Sequence, residues 1–230
     1  NTELLSSVYN DMAILCRKKG NYRDSYFYYD KTKEIAERTN DQDMLAATYH
    51  GLGHLYREVG MYPNALDNYI KSLTISETAN KIQDMIVSHI DIAETYLKAK
   101  EIDKATLHTN KAYNYAIEQL KQKANEETEA QLASVLKSIG NILLAQRRYD
   151  EALEKNIEAL KIYEKLEFKS RIAMASLQVA IVLLEQKKFT QAEDKFKECL
   201  VLEKHYLNPD LAELYYQMGI LYKDLNNTLK

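Results

Sequence analysis

Only two prolines and six glycines occur in 230 residues, and tryptophan is absent altogether. So few turn formers cannot serve the many tight turns of a β-sandwich or barrel, and the scarcity points to helices joined by short links. Two cysteines, Cys16 and Cys199, are too few and too far apart in sequence for a disulfide framework, which suits a reducing, cytoplasmic setting. Charge of neither sign dominates, since 31 Lys and Arg stand against 34 Asp and Glu for a formal net charge of -3. Without a basic excess to neutralise phosphates, direct nucleic-acid binding is not expected. The longest apolar stretch, Ile172 to Leu184, is broken by Ser176 and Gln178. It falls short of the roughly 18 residues a spanning helix needs, so no membrane insertion is expected. The opening residues, Asn1 to Leu5, carry neither an initiator Met nor a signal-peptide pattern, and read as the start of a piece excised from a longer protein.

What is present is ample core material, with 46% hydrophobic and 28% charged residues, a balance unlike that of disordered chains. It is organised as a repeat. Tyr49, Leu52, Gly53 and Tyr56 are followed by Gly60, Tyr62, Ala65, Tyr69 and Ser72. The same spacing holds Tyr9, Met12, Ala13, Cys16, Gly20, Tyr22, Ser25, Tyr29 and Thr32, then His89, Ile92, Ala93, Tyr96, Lys100, Ile102, Ala105, Thr109 and Ala112. It returns as Leu136, Ile139, Gly140, Leu143, Arg147, Tyr149, Ala152, Asn156 and Ala159, and as Ser176, Val179, Ala180, Leu183, Lys187, Phe189, Ala192, Phe196 and Cys199. A sixth copy begins with Tyr215, Met218, Gly219 and Tyr222. The small residue of the first half recurs at 13, 53, 93, 140, 180 and 219, so the period is close to 40 with one interval of 47.

Within each copy the apolar positions fall three and four apart, which puts them on one face of a helix. Each copy is therefore two antiparallel amphipathic helices. The small residue on the first helix is expected to face the Ala of the second and let the backbones approach. Such a pair cannot bury its apolar face alone, so one continuous interior, built by stacking the copies into a single solenoid, is expected over 1–230. The copies span approximately 3–40, 41–80, 81–122, 125–167 and 168–206, with 208–230 a partial sixth. Gly20 and Gly60 fit helix-helix turns. Pro63 fits the first turn of a second helix, and Asn208 with Pro209 fits an N-cap and first helical position. The long interval carries the polar run Gln119 to Gln131 and predicts two lengthened helices projecting outward. A turn and the start of a next second helix are expected at Asn226 to Lys230.

This residue set resembles the tetratricopeptide repeat over nearly the whole chain. It departs from that pattern in the first signature residue, which becomes His89, Leu136 or Ser176, and in a period of about 40 where about 34 is usual. Longer repeats of this kind are similar to those of kinesin light chains, spindle-orientation adaptors and bacterial regulators that bind short signalling peptides. The resemblance implies an all-α fold, a right-handed α-α superhelix of five complete helix-turn-helix repeats plus the first helix of a sixth. It also implies that first helices line a concave inner surface.

On that reading the groove receives Asn10, Ile14 and Arg17, then His50, His54 and Arg57, then Ile90, Glu94 and Leu97. Later copies contribute Lys137, Asn141 and Leu144, then Leu177, Ile181 and Leu184, then Tyr216, Ile220 and Lys223. The candidate ligand contacts among them are Asn10, Arg17, His50, His54, Arg57, Glu94, Lys137, Asn141, Leu177, Ile181, Leu184 and Tyr216. Lys137 and Asn141 match one pair of a carboxylate clamp found in some relatives. Gln178, Glu213 and Gln217 then lack its cations, so such a clamp is rejected. His50 and His54 have the spacing of a metal pair extended by Glu58, without the glutamate a zinc hydrolase places after its first histidine, and no metal or other cofactor is expected. The stripe Leu177, Ile181 and Leu184 can anchor a partner or sit beneath a capping helix. Tyr26 and Phe27 cannot share the inward face with Tyr22 and Tyr29, which leaves exposed aromatic surface.

No phosphate loop, paired-cysteine motif or nucleophile elbow occurs, so catalysis is not expected. The partner is expected to be a protein or peptide. The leading role is the sensor or interaction region of a larger bacterial regulatory protein. The alternatives are a constitutive scaffold and the regulatory region of an enzyme whose catalytic domain lies elsewhere.

Overall fold

A computed structural model describes residues 2–203 and 211–228, and among these there are eleven helices and no strand. The helices are α1 (Thr2–Lys18), α2 (Tyr22–Thr39), α3 (Gln42–Glu58), α4 (Tyr62–Thr78), α5 (Ile82–Lys98), α6 (Ile102–Gln122), α7 (Glu126–Ala145), α8 (Tyr149–Lys165), α9 (Lys169–Glu185), α10 (Phe189–Glu203) and α11 (Leu211–Thr228). They pack as consecutive pairs, α1 on α2, α3 on α4, α7 on α8 and α9 on α10, with the second helix of one pair also packed on the first of the next, as α2 is on α3.

The turns explain the strictness of the period. Gly20 and Gly60 adopt φ of 74° and 78°, and the next residues close the helix ends, Asn21 N–H on Cys16 O at 2.9 Å and Met61 N–H on Tyr56 O at 2.8 Å. This left-handed closure is cheapest for glycine. The corresponding turns of the later pairs force Lys100, Arg147 and Lys187 into the same region. Helix starts are held by side chains: Asp41 accepts from the Met44 N–H at 3.0 Å, and Asn125 accepts from the Thr128 N–H at 2.9 Å while Thr128 accepts from the Asn125 N–H. Pro63 stands in the first turn of α4, where its missing N–H costs nothing.

The small residues make room for large neighbours on the second helix. A Cβ on Gly53 would lie 2.5 Å from the Tyr69 ring and one on Gly140 2.6 Å from the Asn156 amide. The glycines thus receive the large side chain one turn beyond Ala65 and Ala152. Cys199 is buried and Cys16 half-buried, and the two form no disulfide.

Contacts divide the chain into two compact units, residues 1–112 and 113–230. The first has Ala13, Tyr29, Leu52 and Leu55 in its core. The second centres on Leu136, Leu160, Tyr163, Val179, Ala180 and Phe196. The seven extra residues of the long interval appear as lengthening: α6 has 21 residues and α7 has 20, against 17 for α3, α4, α5, α8 and α9. The Asn208-Pro209 start lies outside the described residues. Of the turn and helix start expected at Asn226 to Lys230, residues 226–228 instead continue α11, and 229–230 lie outside the described residues.

Candidate functional site

In the first unit side chains of α3, α4 and α5 meet in one polar network. Arg57 on α3 donates from Nη1 to Asp91 Oδ1 at 2.9 Å and to Glu94 Oε2 at 3.1 Å, both on α5. Its Nη2 donates to His54 Nδ1 at 3.0 Å, and the Tyr69 hydroxyl lies 2.9 Å from that same nitrogen. His50 Nε2 is 2.8 Å from Asp91 Oδ2. Arg17 on α1 pairs in the same way with Glu58 on α3. Arginine can only donate, so His54 Nδ1 is the acceptor and the neutral ring carries its proton on Nε2, which faces Asp91 Oδ2 at 3.7 Å.

The electrostatics follow from burial. Desolvation pulls the His54 pKa down to about 3 against the opposing pull of Asp91, so the ring is neutral at ordinary pH. Burial pushes the Asp91 carboxyl up, but the hydrogen bond from His50 and the charges around it outweigh burial and hold it well below the usual carboxylate range. With His54 neutral, the fixed charge that keeps Asp91 ionised is Arg57.

Three ligand-type atoms of His50, His54 and Asp91 lie within 4.8 Å of one another and could hold a metal ion. Using His54 Nε2 as a ligand would move its proton to Nδ1, directly against the Arg57 guanidinium. The set therefore fits a closed ion-pair network better than a metal site. Glu58, placed in line with the histidines by sequence spacing, belongs instead to Arg17. Asp91 escaped the sequence reading, which placed Tyr69 only among the repeat residues. The available signal was a single carboxylate inside the apolar run Ile90-Asp91-Ile92-Ala93. Beside this network a pocket of about 210 Å³ opens between α3, α4 and α5, lined by His50, Ala46, Ala47, Ser72, Lys81 and Val87 among others.

The remaining candidates are distributed unevenly. Asn10 is half-buried on α1, and its Oδ1 is shielded without a hydrogen-bond partner. In the second unit Lys137 and Asn141 sit one turn apart on α7, both half-buried; the Asn141 Oδ1 is shielded and unpartnered, and Lys137 makes no ion pair among the described residues. Leu177 and Leu184 are core residues, packed with Leu221 of α11 in one cluster, and Ile181 is half-buried against it. Each of these two leucines is 5% exposed, and the sixth copy's first helix packs on the same core. Tyr216 is 65% exposed.

The pattern of paired helices with this period is matched by the family model of the tetratricopeptide repeat at residues 4–78, 45–118 and 128–202. The chain belongs to the tetratricopeptide repeat family. A search of curated proteins by sequence finds no match. Among solved structures, this repeat chain is similar to BtubC (BKLC) from P. vanneervenii, with 20% identity and a TM-score of 0.69 over 89% of this chain and 82% of that one. It is similar to a Rap protein complexed with competence and sporulation factor, at 16% identity and TM-score 0.79, covering 93% of this chain and 58% of that one. It is also similar to NprR in complex with its cognate peptide NprX, at 16% identity and TM-score 0.77, covering 98% and 63%. The repeat chain thus spans somewhat under two thirds of the Rap and NprR chains. At these identities the likeness is one of fold. Among the described residues no helix is long and apolar enough to cross a membrane.

Proposed function

We propose that this repeat chain is a binding module, without catalysis of its own, that takes a protein segment or short peptide on the inward face of its first helices. Its parent is a larger bacterial regulatory protein for which it acts as the sensor or interaction region. The observation that carries this reading is on α7. Among the described residues, Asn141 keeps an amide oxygen shielded from solvent with no internal partner, one turn from Lys137, a cation without an ion pair. A shielded amide with spare capacity is suited to the backbone of an extended peptide, whose N–H and C=O groups it can bond whatever the side chains. In the first unit the polar groups around Arg57 and Asp91 satisfy one another, and the recess beside His50 is suited to a ligand side chain. The Rap and NprR structures were solved with a signalling factor and a cognate peptide. That agreement supports a peptide as the ligand class.

The test exploits the absence of tryptophan from this sequence. Short linear peptides carrying one tryptophan, selected by display on the wild-type chain, report binding through their own fluorescence. Asn141→Ala is expected to weaken the selected peptide about tenfold, the loss of one to two hydrogen bonds. Unchanged affinity in Asn141→Ala and in Lys137→Ala would remove the groove assignment. Small-angle scattering with and without the peptide separates a switch, whose dimensions change, from a constitutive scaffold.

A further inference from the structure

The recess beside His50 has a chemical signature of its own. Three serines line it, Ser72 and Ser76 of α4 and Ser88 of α5, and they are 4%, 2% and 1% exposed. A buried hydroxyl on a helix ordinarily donates to the carbonyl four residues back, as Ser76 does to Ser72 O at 3.1 Å, Thr48 to Met44 O at 2.7 Å and Thr95 to Asp91 O at 2.7 Å. Ser72 donates instead across to Ala46 O of α3 at 3.0 Å. Ser88 makes neither kind of bond. Among the described residues its hydroxyl has no partner, although it stands one period of 40 after Thr48, whose hydroxyl is bonded. A buried hydroxyl left unpaired is costly, and one that lines a recess can bond what enters it.

The charges around the recess select the sign of its occupant. Its lining includes the carboxylates of Asp43 and Asp84 and one cation, Lys81, which is already engaged by Asp43 at 2.5 Å. Asp84 makes no ion pair among the described residues. His50 is held on Asp91 at 2.8 Å, so a third carboxylate stands just beyond the lining. Ser72 and Ser76 have spent their protons on backbone carbonyls and can only accept. An anion would meet carboxylates and an engaged lysine, whereas a cation meets acceptors and unpaired negative charge.

Size and shape narrow the cation. At about 210 Å³ the recess is smaller than the roughly 300–1,000 Å³ of pockets for drug-sized ligands. Ala46, Ile75 and Val87 give it apolar wall for a hydrocarbon stem. The acceptors come from separate side chains on α4 and α5, a spread that suits the compact head of an ammonium with three rotatable donors. We propose that this recess binds a primary alkylammonium group, with Ser88 and Asp84 as its polar contacts. The inference deepens the peptide-binding reading and rests on it only for the source of the ammonium, a lysine side chain of the bound peptide as against a free alkylamine.

The probes are n-pentylammonium, its neutral counterpart n-pentanol and n-pentylguanidinium, each titrated into the isotope-labelled chain and followed by amide chemical shifts. n-Pentylammonium should saturate, shifting amides of α3 and α5 around the recess, and n-pentanol should bind about tenfold more weakly or not at all. Ser88→Ala, which removes only the hydroxyl, should weaken n-pentylammonium about tenfold, the loss of one hydrogen bond to a charged group. Asp84→Asn should weaken it several-fold. Asp103→Asn, at an exposed carboxylate of α6, a helix that does not line the recess, should leave it unchanged. Thermal midpoints check that the variants are folded. The proposal is overturned if n-pentanol binds as tightly, if n-pentylguanidinium binds more tightly, or if Ser88→Ala keeps full affinity. The display-selected peptides then separate the sources. A lysine whose replacement by norleucine costs about tenfold on the wild-type chain and little on Ser88→Ala makes the peptide the source, and selected peptides without lysine assign the recess to a free amine. Saturation by n-pentylammonium with no peptide selected at all removes the peptide-binding reading and leaves the ammonium site standing.

Discussion

Arg57 on α3 and Asp91 on α5 meet at 2.9 Å although they are 34 residues apart in sequence, and each belongs to a different repeat. The contact ties neighbouring repeats together through charge where apolar stacking does most of the joining. Both side chains are largely buried, 15% and 10% exposed, so the pair's worth depends on its being complete. Arg57→Ala strands an ionised carboxylate and is expected to cost about 3–5 kcal/mol, with Asp91→Leu in the same chain restoring most of it. Arg17→Ala should cost less, because its partner Glu58 is 36% exposed and can be hydrated. Urea unfolding of the two single variants and the double variant measures this. Equal losses for Arg17→Ala and Arg57→Ala would contradict the burial argument.

The contrast between legible and hidden features follows from the range of the signals. The period, the helix pairing and the glycine turns are local: residues three and four apart, and a Gly at 20 and 60, carry them. The Arg57 network is not local. It needs the register of α3 against α5, and no residue within one turn of Asp91 announces that its partner is an arginine one repeat earlier. Likewise the glycine at 53 told of close packing, but which side chain fills the space depends on the length of tyrosine at 69, not on the small residue at 65. Leu177 and Leu184 read as a groove stripe because the pattern alone cannot distinguish an inner wall from one already covered by α11.

Gly53 and Gly219 occupy the same place in the repeat and predict opposite outcomes. A methyl group on Gly53 meets the Tyr69 ring at 2.5 Å, whereas among the described residues nothing lies within 4 Å of one on Gly219. Gly53→Ala should therefore lower stability by about 1–3 kcal/mol through overpacking. Gly219→Ala should raise helix stability by about 0.5–1 kcal/mol through lower backbone entropy in the unfolded chain. Thermal midpoints compare the two directly, and Tyr69→Leu should relieve much of the penalty of Gly53→Ala. A destabilised Gly219→Ala would mean that α11 is not helical there in solution.

The turns offer a cleaner stability lever. Lys100, Arg147 and Lys187 have φ of 63°, 61° and 59°, a region that disfavours any residue with a Cβ, while Gly20 and Gly60 hold the equivalent turns without strain. Each of Lys100→Gly, Arg147→Gly and Lys187→Gly is expected to gain up to about 1 kcal/mol, and Gly60→Ala to lose about the same. Being far apart, the three gains should add. Urea midpoints of the single and triple variants test this, and a triple variant no more stable than wild type would refute the strain.

Acid should loosen the first unit through its histidines. His89 and His108 face each other with Nδ1 atoms 3.0 Å apart, so one ring donates and the other accepts while both are neutral. Burial, then the neighbouring His108, lowers the His89 pKa from 6.5 to about 4. Between those two values the unfolded chain binds a proton that the folded chain refuses. Stability is therefore intact above about pH 6.5, falls as the pH drops toward 4, and levels off below that for this group. His54, lowered to about 3 by burial, extends the decline further. The loss for His89 is on the order of 3 kcal/mol between pH 7 and 4. His89→Gln keeps a hydrogen-bonding amide but removes the proton site, so its stability should be lower at pH 7 and its slope shallower over pH 7 to 4. Parallel slopes for the two proteins would assign the acid sensitivity to other groups.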